Sequence, residues 1–421
     1  MSPVHFNSSR YDLAVNTISQ SDLEKVISWL RQYPKLTMGD ETKRFEEKWS
    51  KWLGVKHSVM CNSGASANLL MYAALDPGFA SLPDLGQGGS PPLARLRKAS
   101  AEARAAGKSG NRKVVVPATG WPTDIAPAIQ FGWKPIMCES DPRTFGLDPN
   151  CLEKILKKEH PAAVVMVHVL GVPADMTAIM SLKKKYGFML LEDACAAHGA
   201  RHKGRLVGTF GDISVFSFYY GHHMSSVEGG MLCTNNRDLY HHLLMLRSHG
   251  WLKDLPATEA KRIMRQCGFD PFHSPFTFLL PGFNLRPTDM SAKIGNIQLD
   301  NLNNTINIRT RNHRIYQKEL AATCWFAGGL DGDLISSISF CAVAESSAER
   351  KKIVKALDDQ KIDTRLFTAG NLGRHPFWAR RFGMFSAPVA DRLFQGGFFL
   401  PNNQSLKPHN VQQICDVVRS V

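Results

Sequence analysis

At 421 residues the chain exceeds the ~250–300 at which a single hydrophobic core stops growing, so two structural units are expected. It has no apolar run of ~18 residues that could span a bilayer and no basic-then-apolar leader in MSPVHFNSSRYDLAVN, so neither a membrane span nor a secretory signal is read and the cytoplasm is the default compartment. The net charge of +14 would suit a nucleic-acid binder, but the basic residues are dispersed, apart from residues 95–113, and no recognition module is visible, so no nucleic-acid partner is expected and an anionic small molecule accounts for the charge equally well.

In chain order, residues 10–33 carry apolar positions at helical spacing, with Ser21 and Asp22 as start signals for a second segment, and read as an N-terminal arm and helix. Residues 40–53 form another amphipathic stretch. A short strand over 57–60 then ends at Asn62-Ser63-Gly64, and an apolar helix follows over 65–75. Residues 76–112 break the pattern, first with Gly and Pro and then with a basic, Ala-rich piece, and read as an insertion. Short apolar runs at 113–117, 134–138, 162–168, 189–192, 213–219 and 230–234, with helical segments between most of them, predict a mostly parallel α/β sheet covered on both faces. A long helix over 299–320 leaves the sheet, and helices near 346–360 and 410–421 belong to a smaller C-terminal α+β unit. The expected division is 1–300 for the arm and large domain and 301–421 for the small one.

The nine cysteines lie singly with no C-x-x-C, which argues against disulfides, structural zinc and iron–sulfur clusters, and no metal site is expected. Four other segments carry chemistry. Cys61-Asn62-Ser63-Gly64-Ala65-Ser66-Ala67-Asn68 is a small-residue turn opening a helix, which is either a phosphate seat on free N–H groups or a plain tight turn. Leu191-Glu192-Asp193-Ala194-Cys195 puts a carboxylate at the end of a buried strand; it either pairs with a cation such as a protonated pyridine nitrogen or caps a helix. The third runs from Gly211 to Gly230, with the polar loop Tyr220-Gly221-His222-His223-Met224-Ser225 between two apolar strands, where catalytic groups tend to lie. The fourth is Pro281-Gly282-Phe283-Asn284-Leu285-Arg286-Pro287-Thr288-Asp289, followed by residues 292–299.

In this order and at these spacings the four segments resemble, over nearly the whole chain, the DegT/DnrJ/EryC1/StrS family of sugar aminotransferases. The resemblance implies the fold of type I pyridoxal-phosphate (PLP) dependent transferases and a homodimer with shared active sites. It places the cofactor phosphate on Gly64, Ala65 and Ser217, with Asn284 reaching it from the neighbouring subunit. Asp193 falls on the pyridine nitrogen, and Trp121 on the position that stacks against the cofactor, the alternative being a core tryptophan. Ala196 departs from the family, which often has Gln there. The larger departure is His222: counting back from Glu228-Gly229-Gly230, it stands where aminotransferases carry the lysine that holds the cofactor covalently.

Histidine cannot make that link, but its imidazole, with an unperturbed pKa near ~6.5, is suited to moving protons at neutral pH. His222-His223 is similar to the dehydratase branch of the family, which implies that pyridoxal and pyridoxamine phosphate serve to remove the C3 hydroxyl of an NDP-4-keto-6-deoxyhexose, with L-glutamate as amine donor. GDP-4-keto-6-deoxy-D-mannose is the favoured substrate, since a related branch acting on CDP-sugars carries clustered cysteines that this chain lacks. His222 is then the catalytic acid/base and His223 is structural. Arg286 either clamps the glutamate carboxylate or makes an ordinary ion pair. Asn371, Arg374 and His375, in residues 364–376, either face the sugar or belong to a surface loop. The alternatives kept are a 4-aminotransferase with a His-substituted site and a non-catalytic PLP-binding protein.

Overall fold

The structure, a computed structural model, describes residues 11–76, 112–268 and 270–421. The insertion expected over 76–112 therefore lies, from 77 to 111, outside the described residues.

The main sheet is built from seven strands: β1 His57–Cys61, β2 Lys113–Pro117, β3 Lys134–Cys138, β4 Ala163–Val167, β5 Met189–Asp193, β8 Ile213–Ser217 and β9 Gly230–Thr234. A small hairpin, β6 Arg201–His202 and β7 Arg205–Leu206, interrupts the run. The order is β1-β9-β8-β5-β4-β2-β3, and β9 alone is antiparallel to its neighbours. Every residue of β4, β5, β8 and β9 is buried, which is why these strands read as unbroken apolar runs. All the parallel strands end at one edge, where ligands of open α/β sheets bind. The register there aligns Cys61 with Gly230 and Gly230 with Ser217, so the ends of β1 and β8 flank the start of β9.

The helix Asp40–Leu53 turns Phe45, Trp49 and Leu53 inward at i, i+4 spacing, and the Trp49 ring lies 5.0 and 4.9 Å from Phe216 and Phe218. Its N-cap is Gly39, which has no side chain to offer. Asp289, distant in sequence, supplies the cap instead: its carboxylate accepts from the backbone N–H groups of Gly39 (2.7 Å), Glu41 (3.1 Å) and Thr42 (3.0 Å) and from the Thr42 hydroxyl (2.7 Å). The end of the fourth sequence segment is thus a tie between two helices.

Two sequence expectations receive their bounds. The N-terminal periodicity over 10–33 yields a helix only at Gln20–Leu30, opened by a capping box of Ser19 and Asp22. Residues before it run extended, because Tyr11 and Leu13 alternate and are both buried. They bind the C-terminal unit: Asp363 N–H donates to Tyr11 O at 2.9 Å, and the Asn403 amide to Asp12 O at 2.7 Å. The helix expected over 299–320 begins at Leu302 and runs to Leu320, and a separate helix, Asp289–Leu299, precedes it across the break at Asp300 and Asn301. Leu299 and Leu302 continue the apolar period across the break, which hides it in the sequence.

The C-terminal unit is an antiparallel sheet of β10 Ser339–Val343, β12 Gly397–Pro401 and β11 Arg365–Leu366, in the order β10-β12-β11. Leu302–Leu320, Ser347–Asp359 and Pro408–Arg419 contribute helices to its core, which includes Tyr316, Phe340, Leu357, Phe398 and Ile414. Among the described residues no helix is long and apolar enough to cross a membrane.

Candidate active site

The carboxyl edge of the sheet gathers the residues that the sequence singled out. Ser63 caps the helix Gly64–Ala73, its hydroxyl accepting from Ser66 N–H at 3.1 Å, and the first-turn N–H groups, including those of Gly64 and Ala65, have no partner within the helix. A Cβ built on Gly64 would lie 2.5 Å from the Ser217 Cβ and 2.7 Å from its hydroxyl, so only glycine lets the end of β8 reach the helix start. A Cβ on Gly230 would lie 2.2 Å from Ser63 O, which fixes the same junction from β9. Backbone N–H groups, a positive helix end and the Ser217 hydroxyl therefore converge as a seat for an anion.

Asp193 ends β5 in a buried position. Its carboxylate accepts from Cys195 N–H at 2.8 Å and from the Asn68 amide at 2.8 Å. Asn68 stands one turn beyond Gly64 on the same helix, so helix periodicity links the anion seat to the carboxylate. Glu192, next to Asp193 but pointing to the opposite face of the strand, does different work. It is fully buried and accepts from the backbone N–H groups of Gly208, Phe210 (2.9 Å) and Gly211 (2.6 Å), fixing the turn into β8. It also lies 2.9 Å from His168 Nε2. His168 Nδ1 accepts from Ala174 N–H, which leaves Nε2 as the nitrogen that donates to Glu192.

His222 follows β8 on a tight turn, its N–H bonded to Tyr219 O at 3.0 Å. Its Nδ1 is buried without a hydrogen-bond partner among the described residues, which leaves Nε2 as the nitrogen available for exchange. Burial, and secondarily the Arg309 guanidinium, push its pKa down to about 4, so the ring is neutral at neutral pH. Arg309 lies in the helix Leu302–Leu320, almost wholly buried, with its pKa lowered by burial to about 9. It donates to the carbonyls of Ile338 (2.8 Å), Asn402 and His222 (3.4 Å), thereby tying the His222 turn to the C-terminal unit. His223 points away, its Nε2 meeting the Ser336 hydroxyl (2.9 Å) and carbonyl (3.1 Å), and has a structural part. His198, buried and with neither ring nitrogen bonded among the described residues, lies 6.2 Å from His222 and 5.1 Å from His223, ring to ring.

Trp121 is 59% exposed, which rules out a core tryptophan. It begins the short turn Pro122–Asp124, whose Asp124 carboxylate accepts from Trp121 N–H at 2.8 Å. Asn284 is exposed, and its side-chain oxygen accepts from Arg286 Nε at 3.0 Å. Between them Leu285 O accepts from Asn62 N–H at 3.0 Å, which lays this segment beside the anion seat. Arg286 pairs with no carboxylate among the described residues.

The loop with Asn371, Arg374 and His375 docks over β2, Leu372 N–H donating to Ala118 O at 2.8 Å. The expectation that Asn371 faces a ligand is corrected. It is fully buried, donating to Phe385 O (3.0 Å) and Asp391 (2.7 Å) and accepting from Gly373 N–H (2.9 Å), which leaves it no free donor. Arg374 is held by Asp391 at 2.6 Å and His375 by Ala369 O at 2.6 Å, but both stay partly exposed. Sequence reasoning missed Asn68, Asp124, His198 and Arg309, each of which acquires its place only through a partner far along the chain.

Fold and site together define an α/β protein of the aminotransferase type, with His222 on the turn that follows β8. The DegT/DnrJ/EryC1/StrS aminotransferase family model matches residues 16–81 and 100–419, and the chain belongs to that family. It is 30% identical over 414 residues, 97% of this chain and 98% of the relative, to the GDP-4-keto-6-deoxy-D-mannose 3-dehydratase of Yersinia pseudotuberculosis. Among solved structures it is similar to the E. coli GDP-4-keto-6-deoxy-D-mannose-3-dehydratase with bound hydrated PLP, at TM-score 0.83 and 28% identity over 97% of this chain and 99% of that one. It is also similar to a GDP-4-keto-6-deoxymannose-3-dehydratase that holds a trapped PLP-glutamate adduct, at TM-score 0.82 and 27% identity over 97% of this chain and 100% of the other.

Proposed function

We propose that the chain is a PLP/PMP-dependent sugar 3-dehydratase that removes the C3 hydroxyl of GDP-4-keto-6-deoxy-D-mannose, with L-glutamate as amine donor, in 3,6-dideoxysugar synthesis. What carries this reading is His222, a neutral imidazole on the turn after β8, at the position that the family resemblance assigns to the anchoring lysine of aminotransferases.

The residues present fit the cofactor. The Gly64, Ala65 and Ser217 junction offers N–H groups and a hydroxyl to a phosphate, and Asp193 offers a buried carboxylate to a ring nitrogen. Trp121 has an exposed ring free to stack, and Asn284, exposed, is assigned to the partner's phosphate in a homodimer. When bound, the cofactor supplies an amine to the C4 ketone and a ring that accepts electrons. His222 Nε2 would take a proton from the cofactor carbon that bears the amine and return it to the C3 oxygen, which leaves as water, and in the glutamate half of the cycle would move the proton of the amino acid α-carbon. With His222 at the position of the anchoring lysine, the site would offer no amine there to displace the product, and water would release it. The sum balances: glutamate and the ketosugar give 2-oxoglutarate, ammonia and a 4-keto-3,6-dideoxy sugar, the two electrons coming from glutamate. Arg374 and His375 are assigned to the sugar side, and residues 1–300 and 301–421 are taken as the two domains, the second supplying Arg309 behind His222.

The test is stoichiometric. With L-glutamate and GDP-4-keto-6-deoxy-D-mannose, ammonia and 2-oxoglutarate should appear in equal amounts; 2-oxoglutarate without ammonia would make the protein an aminotransferase.

A further inference from the structure

Asp124 is almost fully buried. One carboxyl oxygen, Oδ2, accepts from Trp121 N–H at 2.8 Å. The other, Oδ1, meets no donor among the described residues. The Asn68 amide donates both to Asp193, at 2.8 Å, and to the hydroxyl of Thr123, at 3.4 Å, which brings the Asp124 carboxyl up against Asp193, an acceptor itself, and two acceptors can be satisfied together only when one carries a proton. Burial and the Asp193 charge both hold the Asp124 pKa well above the usual carboxylate range. The other titratable groups around the pair are Tyr72, whose hydroxyl donates to the Asp124 carbonyl at 2.7 Å, and Cys195, whose thiol is itself pushed up by burial and by both carboxyls. No cation among the described residues offsets the pair.

The lone pairs of Asp193 can be counted. A carboxylate has about four acceptor sites. Asn68 and Cys195 N–H use two, a protonated Asp124 uses a third, and at the fourth stands only the weak Cys195 thiol donor, which a ring nitrogen that carries a proton would displace.

We propose that Asp124 is a positioning residue that keeps its own proton and donates it as a hydrogen bond to Asp193, so that Asp193 stays a carboxylate and the proton shared with a bound pyridine ring stays on the ring. The inference rests on the reading of Asp193 as the ring-nitrogen partner. Asp124→Asn retains a donor toward Asp193 and an acceptor for Trp121 N–H; Asp124→Ala retains neither.

Two measurements separate this from the cofactor reading. The first needs no cofactor. A buried acid whose folded pKa is raised contributes stability at low pH that is lost as pH rises above the ordinary carboxylate value of ~4. The thermal midpoint of the apo-protein should therefore fall more between pH 5 and pH 8 in the wild type than in Asp124→Asn. The second is PLP affinity by fluorescence titration: Asp124→Asn should stay within about threefold of wild type and Asp124→Ala should weaken binding by about tenfold or more. Parallel pH curves for wild type and Asp124→Asn overturn the shared proton, whether or not Asp124→Ala folds. Wild-type affinity in a folded Asp124→Ala overturns the positioning role. A pH difference in a protein that binds no PLP leaves the carboxyl pair standing and refutes the cofactor reading instead.

Discussion

His222 sits in a turn whose carbonyl is held by a buried guanidinium, and the same guanidinium helps keep its imidazole uncharged. The sign of the resulting pH effect follows. With the folded pKa at about 4 and the unfolded value near ~6.5, the folded chain binds fewer protons in that interval, so the stability contributed by His222 is present above pH ~6.5 and lost as pH falls toward 4. Acid titration of the apo-protein by circular dichroism should show His222→Asn losing less stability across that window than the wild type. The same variant should lower kcat by ~10²–10⁴-fold while leaving PLP bound, as expected when one acid/base is removed. His222 was legible in the sequence because its position is counted from the adjacent Glu228-Gly229-Gly230. Asp124 and Arg309 were not, since neither differs in sequence from a surface charge until folding brings Asp193 and the His222 turn to them. Asn371 misled for the opposite reason: a polar residue in a glycine-containing loop reads as exposed, yet Asp391 and two backbone groups consume it.

Among the elements, the buried strands were readable as short apolar runs, and the helix Asp40–Leu53 showed its inward face at i, i+4. What did not show was how that helix begins, because its cap comes from Asp289, on a different helix. Removing the cap in Asp289→Ala leaves Gly39, Glu41 and Thr42 donors unsatisfied and should cost ~2 kcal/mol or more, seen as a lower thermal midpoint. Asp289→Asn, which keeps an acceptor, should recover part of the loss.

For the molecule as a whole, the C-terminal unit is needed at the site, since Arg309 fastens the His222 turn and the loop at Leu372 covers the end of β2. The assignment of Asn284 to the partner's site makes a sharper claim about assembly. Asn284→Ala and His222→Asn should each be inactive or nearly so, but a co-refolded mixture should regain roughly a quarter of wild-type activity, because half the dimers then hold one site with both residues intact. No recovery would confine Asn284 to its own subunit.

The central claim is that replacing the anchoring lysine by His222 turns an aminotransferase scaffold to dehydration, and the mass of the sugar product tests it most directly. After incubation with PLP, L-glutamate and GDP-4-keto-6-deoxy-D-mannose, the account predicts a nucleotide sugar lighter than the substrate by one oxygen, absent with His222→Asn. A product that keeps its C3 oxygen and carries nitrogen at C4 would contradict it.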